Sequence, residues 1–506
     1  MPTFTTYDGT ELAYDVRGEG ETLVCLPGGP MRDAAYLGDL GGLAAHRRLI
    51  VLDPRGTGAS AEPADPASYR CDRQVADVEA LRSHLGLERI DLLGHSASGN
   101  LATLYAAAHP ERVRSLVLVT PGTQAVGIEI TDEEWNEAGE VFADQPWYAE
   151  ARAALATIGP DTPVARIMEL VSPFVYGRWD EAARAHAAAV TDQAHWEAAA
   201  AYYAPGAFDP ERTRAALTAV TAPVLVLAGE YDGGPSPARA AELAALFPHA
   251  RLAIQRGAGH FPWVDDAGAF LRPLAAFLDP EVRTVTVDGV ALAYRVWGEA
   301  DAAPVVLVHG RGGNGTDWGR IAEELAADRR VYAVDLRGHG LSDWTGPYGF
   351  DVFRDDLRGF LKELDLVGAD VIAHSMGGGA ACLLAMEEPG MIGRLVLEEA
   401  PVFLPLDPPR GRAPRPAGPL GLDWDVVLAT DAQLNAPDPA WREGLTALTS
   451  PTLILAGGEG SPLARERLSS MADRIPDGRL VTIDAGHEIH AARPAEFLAA
   501  IREFGI

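Results

Sequence analysis

Cysteine is scarce in this chain. Three thiols among 506 residues, Cys25, Cys71 and Cys382, make no disulfide framework, and Cys25 and Cys382 sit in apolar runs as small core residues do. Positive charge is also short: 42 Lys and Arg against 72 Asp and Glu leave a net charge of −30. That balance argues against nucleic acid or an anionic membrane as a partner, and solubility is its simplest use. No apolar stretch reaches the ~20 residues of a membrane span. Met1-Pro2-Thr3-Phe4 lacks a basic region followed by an apolar run, so no secretory signal is visible and a cytoplasmic location is expected. No metal-ligand cluster or phosphate loop is present, and the paired glycines fit no dinucleotide fingerprint. Neither metal nor cofactor is expected.

What the chain does contain, it contains twice. Ile90-Asp91-Leu92-Leu93-Gly94-His95-Ser96-Ala97-Ser98-Gly99 reads as a strand, a sharp turn with Ser96 at its apex, and the start of a helix over Leu101–Ala108. Small residues around the serine allow the tight turn, and the first N–H groups of the helix can stabilise an oxyanion. Asp370-Val371-Ile372-Ala373-His374-Ser375-Met376-Gly377-Gly378 repeats this pattern 279 positions later. Asp8-Gly9 recurs as Asp288-Gly289 at an offset of 280, and Asp53-Pro54-Arg55-Gly56 as Asp335-Leu336-Arg337-Gly338 at 282. A whole domain has been duplicated in tandem, with 1–280 and 281–506 as the expected halves. The linker Asp279-Pro280-Glu281 is so short that the halves are expected to pack together as a dimer-like pair.

In the first half, near-continuous apolar runs at 12–17, 22–26, 48–52, 90–93, 115–119, 223–227 and 251–255 alternate with helical patterns such as 73–85. This predicts an α/β domain, a mostly parallel sheet flanked by helices. Residues 121–220 break the rhythm and read as helices alone. They hold eleven of the chain's 37 aromatics, as an inserted helical lid with an apolar underside would, although most of these rings are expected to build the lid's own core. Asp232 follows the strand at 223–227, and His260 follows the one at 251–255. With Ser96 they lie at the carboxyl ends of different strands, where open parallel sheets bind ligands. The order serine, acid, histidine is that of one type of catalytic triad. Asp53 and Arg55 read as a turn-stabilising pair below the site.

These motifs resemble those of the α/β-hydrolase superfamily, once per half. The loop Pro27-Gly28-Gly29-Pro30 and the helical lid are similar to the proline iminopeptidase branch. The resemblance implies a serine hydrolase in which Ser96 is the nucleophile, His260 its general base and Asp232 the acid. It implies an oxyanion hole from the backbone N–H groups of Gly29 and Ala97, matched in the second half by Arg311 and Met376. Trp196-Glu197 in the lid is similar to that branch's amine-binding segment. Ser98 stands where the elbow pattern expects glycine.

In the second half Ser375 and His487 take the corresponding places. His260 and His487 are 227 apart while the serines are 279 apart, so 52 residues are missing between nucleophile and base. The loss falls in the lid, leaving a short one at about 401–449. The acid is read as Glu459, which sits 28 residues before its histidine as Asp232 does. Glu398 or Glu399 is the superfamily's alternative placement, and His490 competes with His487. The chemistry expected is acyl-enzyme hydrolysis of an ester, amide, lactone or thioester of a small, apolar molecule, by a carboxylesterase, lactonase or iminopeptidase-like aminopeptidase. The alternatives are a second half that is a pseudo-enzyme, and a non-catalytic ligand-binding protein on a hydrolase fold.

Overall fold

The computed structural model describes residues 1–159, 161–416 and 420–506. The chain divides into two compact units, Met1–Ala275 and Ala276–Ile506. Residue 160 of the expected first lid and 417–419 of the expected second lie outside the described residues. Among the described residues no helix is long and apolar enough to cross a membrane.

Each unit is built on an eight-stranded sheet. In the first the strands are β1 (Thr3–Thr5), β2 (Glu11–Arg17), β3 (Thr22–Leu26), β4 (Arg48–Leu52), β5 (Ile90–His95), β6 (Val113–Val119), β7 (Val224–Gly229) and β8 (Ala250–Gln255). Their order across the sheet is β1-β2-β4-β3-β5-β6-β7-β8. Only β1 and β2 run antiparallel to their neighbours, so the remaining strands all end at one edge. The second unit repeats the order with β9 (Val282–Val287), β10 (Val290–Trp297), β11 (Ala303–Val308), β12 (Arg329–Val334), β13 (Asp370–His374), β14 (Leu395–Glu398), β15 (Thr452–Ala456) and β16 (Gly478–Thr482). Every residue of β5, β7, β13, β14 and β15 is buried. Helices cover both faces of such strands, which explains why they read as unbroken apolar runs and not as alternating ones.

Between β6 and β7 the described chain is helical, from Asp132–Gly139 to Pro210–Leu217. Between β14 and β15 the α-helices are Trp424–Asn435 and Pro439–Gly444. The first lid's rings pack mainly on one another: Phe174 meets Trp135, Phe142, Trp147 and Tyr148 at centroid distances of 5.4–6.5 Å.

Asp53 and Arg55 are not a pair. Asp53 accepts the N–H groups of Ala34 and Ala59, each at 2.9 Å, and so braces the turns after β3 and β4. Arg55, fully buried, forks onto both oxygens of Asp77 and reaches Asp8. The second unit keeps the same division of labour. Asp335 accepts from Gly315 and Leu341, and Arg337 makes a bidentate pair with Asp356 at 2.6 and 2.8 Å. Buried guanidiniums need such matched carboxylates, since removing one partner strands the other's charge. Arg55→Leu should therefore destabilise the first unit by about 3–5 kcal/mol, read as a lowered urea midpoint.

Candidate active sites

β5 ends at His95, and the helix Ala97–Ala108 starts two residues later. Ser96 between them has φ 54° and ψ −125°, and Ser375 at the end of β13 has φ 48°. A positive φ on serine is strained and persists only where its surroundings enforce it. Here a Cβ on Gly94 would lie 2.5 Å from the Ser98 carbonyl oxygen, and one on Gly99 would lie 2.4 Å from Pro121 Cβ. The helix thus begins at Ala97, four residues earlier than the apolar pattern shows. Ser98 uses its hydroxyl: it donates to the Pro27 carbonyl at 2.6 Å, tying the elbow to the glycine loop. In the second unit Gly377 takes that place, where a Cβ would lie 2.4 Å from the His309 carbonyl oxygen.

The structure brings Ser96, His260 and Asp232 together. The Ser96 hydroxyl donates to His260 Nε2 at 2.8 Å, and His260 Nδ1–H donates to Asp232 Oδ2 at 2.8 Å. Asp232 is 2% exposed, and its other oxygen accepts the Gly234 N–H. The backbone of His260 is held on both sides. Its carbonyl accepts from His95 Nε2 and Thr120 Oγ1, each at 3.0 Å, and its N–H donates to Val175 of the lid at 2.7 Å.

In the second unit the Ser375 hydroxyl lies 3.0 Å from His487 Nε2. The acid on His487 Nδ1 is Glu399, at 3.2 Å, and not Glu459. Glu459 is exposed, in a short turn at Gly458–Gly460, on the loop after β15 that corresponds to the Asp232 loop. Glu399 follows β14, is 1% exposed and has φ 50°. Its other oxygen accepts the Gly457 N–H at 2.6 Å, while Ser461 Oγ donates to the same oxygen that faces His487. Glu398 faces elsewhere, accepting from His490 Nδ1 at 2.8 Å, with His490 against the Trp318 ring. His490 therefore belongs to a separate buried pair. The matching residue of the first unit, 279 positions before Glu399, is Thr120, also with positive φ. The same strand end carries a carboxylate in one unit and a hydroxyl in the other.

The glycine loops close on the elbows. A Cβ on Gly28 would lie 2.7 Å from Ser96 Cβ and 3.3 Å from the Ala97 nitrogen, so only glycine fits there. A Cβ on Gly310 would lie 2.6 Å from His374 Nδ1 and 3.1 Å from Ser375 Cβ. Ala97 and Met376 lie in the first turns of their helices, whose N–H groups lack an intrahelical partner. The Arg311 side chain is engaged by Asp431 at 2.7 Å and Thr430 at 3.2 Å, which leaves its backbone N–H as the group at issue. Trp196 and Glu197 open the helix Trp196–Tyr202, the first half-buried and the second exposed. Among the described residues neither is hydrogen-bonded to the triad. Also among the described residues, no group of three or more His, Cys, Asp or Glu side chains is placed to hold a metal.

Sequence reasoning missed the histidines around the site. His95, 1% exposed, is held well below its ordinary value by burial and by the neighbouring His260. His186 of the lid is pushed down to about 4, chiefly by burial. It accepts from Tyr176 O–H at 2.7 Å and donates Nε2–H to the Tyr36 carbonyl at 3.0 Å, both of which suit the neutral ring. A depressed histidine resists protonation when folded, so its contribution is complete above the unfolded value near 6.5 and is lost as pH falls toward 4. His186→Gln should lower Tm by about 2–4 °C at pH 7.5, with the gap to the unsubstituted protein narrowing between pH 6.5 and 5 in thermal scans.

Comparison with known proteins agrees with this architecture. The family model described as alpha/beta hydrolase fold matches residues 21–267, and the alpha/beta hydrolase family model matches 305–500. The mouse protein named sn-1-specific diacylglycerol lipase ABHD11 is 26% identical over 252 residues, 41% of this chain and 82% of its own. The 2-hydroxymuconate semialdehyde hydrolase of Pseudomonas sp. (strain CF600) is 28% identical over 243 residues, 40% of this chain and 86% of its own. Among solved structures, the esterase EaEST from Exiguobacterium antarcticum has a TM-score of 0.44 and 19% identity, covering 54% of this chain and 98% of its own.

Proposed function

Since the chain belongs to the α/β-hydrolase superfamily as two tandem domains of that fold, we propose that it is a serine hydrolase acting through an acyl-enzyme. The observation that carries this reading is the Ser96–His260–Asp232 hydrogen-bond chain, 2.8 Å at each link. A serine hydroxyl is a weak nucleophile until a base accepts its proton. Ser96 Oγ adds to the substrate carbonyl while His260 Nε2 takes the hydroxyl proton. Asp232, fixed on Nδ1–H, sets the tautomer and stabilises the imidazolium. The N–H groups of Gly29 and Ala97 receive the oxyanion. Collapse breaks the bond to the leaving group, which takes the proton from His260, and water then releases the acid by the same steps.

The substrate class is an ester, amide, lactone or thioester of a small, apolar molecule, supported by the aromatic lid and by the hydrolase names of the relatives. The Ser375–His487–Glu399 set supports a second active site in preference to a pseudo-enzyme half. It also favours turnover over ligand binding without chemistry. An aminopeptidase of the iminopeptidase type would use Glu197 to hold the substrate amine, and hydrolysis of amino-acyl anilides that is lost in Glu197→Gln would favour it over action on aryl esters or lactones.

A fluorophosphonate probe should label both Ser96 and Ser375, each label vanishing in the matching alanine variant. Absence of label at Ser96 would overturn the reading of the first domain. In a Ser96→Ala background, Glu399→Gln should lower remaining ester turnover by about 10³–10⁴-fold, whereas Glu459→Gln should leave it unchanged. The reverse pattern would return the acid to the loop after β15.

A further inference from the structure

Tyr36 lies in a short turn, Ala34–Leu37, after the glycine loop, and is 5% exposed. Its hydroxyl accepts the Gly28 N–H at 2.6 Å and lies 2.7 Å from His95 Nδ1. His95 Nε2 lies 3.0 Å from the His260 carbonyl. A carbonyl can only accept, so Nε2 carries the ring hydrogen and Nδ1 is the acceptor. The Tyr36 O–H must then donate to Nδ1, which leaves its lone pairs for Gly28. One direction satisfies every link: Gly28 N–H to Tyr36, Tyr36 O–H to His95, His95 Nε2–H to His260. The lid joins at the same residue, since Tyr176 O–H donates to His186 and His186 Nε2–H donates to the Tyr36 carbonyl.

We infer that Tyr36, acting through His95, is a positioning residue that holds the oxyanion loop and the catalytic base of the first domain in one fixed relation. The inference rests on the serine-hydrolase reading above. Gly28 precedes the proposed oxyanion donor, and the His260 carbonyl belongs to the residue that must meet Ser96. A hydroxyl between them transmits any displacement of one to the other. The second domain lacks the device. Trp318 stands at the position of Tyr36, 282 residues on, and an indole N–H can donate but cannot accept. There His374 Nε2 still reaches the His487 carbonyl at 2.9 Å, but its ring neighbours are His487 and His490, at centroid distances of 4.8 and 5.3 Å.

The test uses the full chain carrying Ser375→Ala, so that only the first domain turns over an aryl ester. Tyr36→Phe should lower kcat by about 10–100-fold, less than the loss of a whole oxyanion donor, with KM unchanged. The fraction of Ser96 titrated by a fluorophosphonate should stay at one per chain, which a merely structural role would not preserve alongside a fallen kcat. His95→Leu removes both the acceptor for Tyr36 and the donor to the His260 carbonyl, and should show a loss of the same kind at least as large, which covers the case of a poorly folded phenylalanine variant. In a Ser96→Ala background, Tyr36→Phe should leave the second domain's turnover unaltered. Unchanged kcat per titrated site in both variants, with Ser96→Ala inactive, would overturn the inference and leave the hydrolase reading standing. Turnover surviving in Ser96→Ala, still with Ser375→Ala, would overturn both.

Discussion

Both domains turn on the same contact: a buried carboxylate on Nδ1 of a histidine whose other nitrogen faces a serine. Everything around it serves to bring together three residues that are far apart in the chain. His260 and Ser96 are separated by 164 positions and Asp232 and His260 by 28. The parallel sheet achieves this because β5, β7 and β8 end at one edge, so residues just past those ends meet. The strained φ of both serines is the local cost of lifting their hydroxyls to the histidines.

The duplication shows which parts of that arrangement are free to vary. The histidine stays on the loop after the last strand in each unit, but the carboxylate on its Nδ1 moves. In the first domain it follows β7, as Asp232. In the second it follows β14, as Glu399, and the loop after β15 supplies Ser461 Oγ and the Gly457 N–H to that carboxylate. In the second sheet β14 and β15 are neighbours in register, so either strand end lies beside the histidine loop. Glutamate's extra methylene extends the reach. The lids differ too. The first is stapled to the glycine loop by the pairing of Arg32 with Ala194 and by Arg32 on Gln193. The second is stapled to the loop after β12 by the pairing of His339 with Leu422.

Much of this was legible in the sequence, because buried parallel strands leave continuous apolar runs and each strand end marks the same edge. Ser96, Asp232, His260, Ser375 and His487 follow from that rule. Glu459 followed from spacing, and spacing cannot register that an acid has moved to the neighbouring strand. Aligning the halves at their serines, and not at their histidines, pairs Glu399 with Thr120 and was the available signal. Asp53 and Arg55 sit two residues apart and suggested a pair, yet a buried arginine finds its carboxylates where side chains converge, on Asp8 and Asp77. Tyr36, His95 and His186 carried no pattern at all. The hydrogen bonds that join them to one another and to His260 span 59 to 165 positions, and only the folded chain brings them together.

The most direct measurement is peptide mapping by mass spectrometry after brief reaction with a slowly deacylating aryl ester and an acid quench. The expected result is an acyl mass on the peptides containing Ser96 and Ser375, absent from each when that serine is alanine. Rapid ester turnover with no acyl group trapped on either serine, or with the acyl group on another residue, would contradict a covalent serine mechanism.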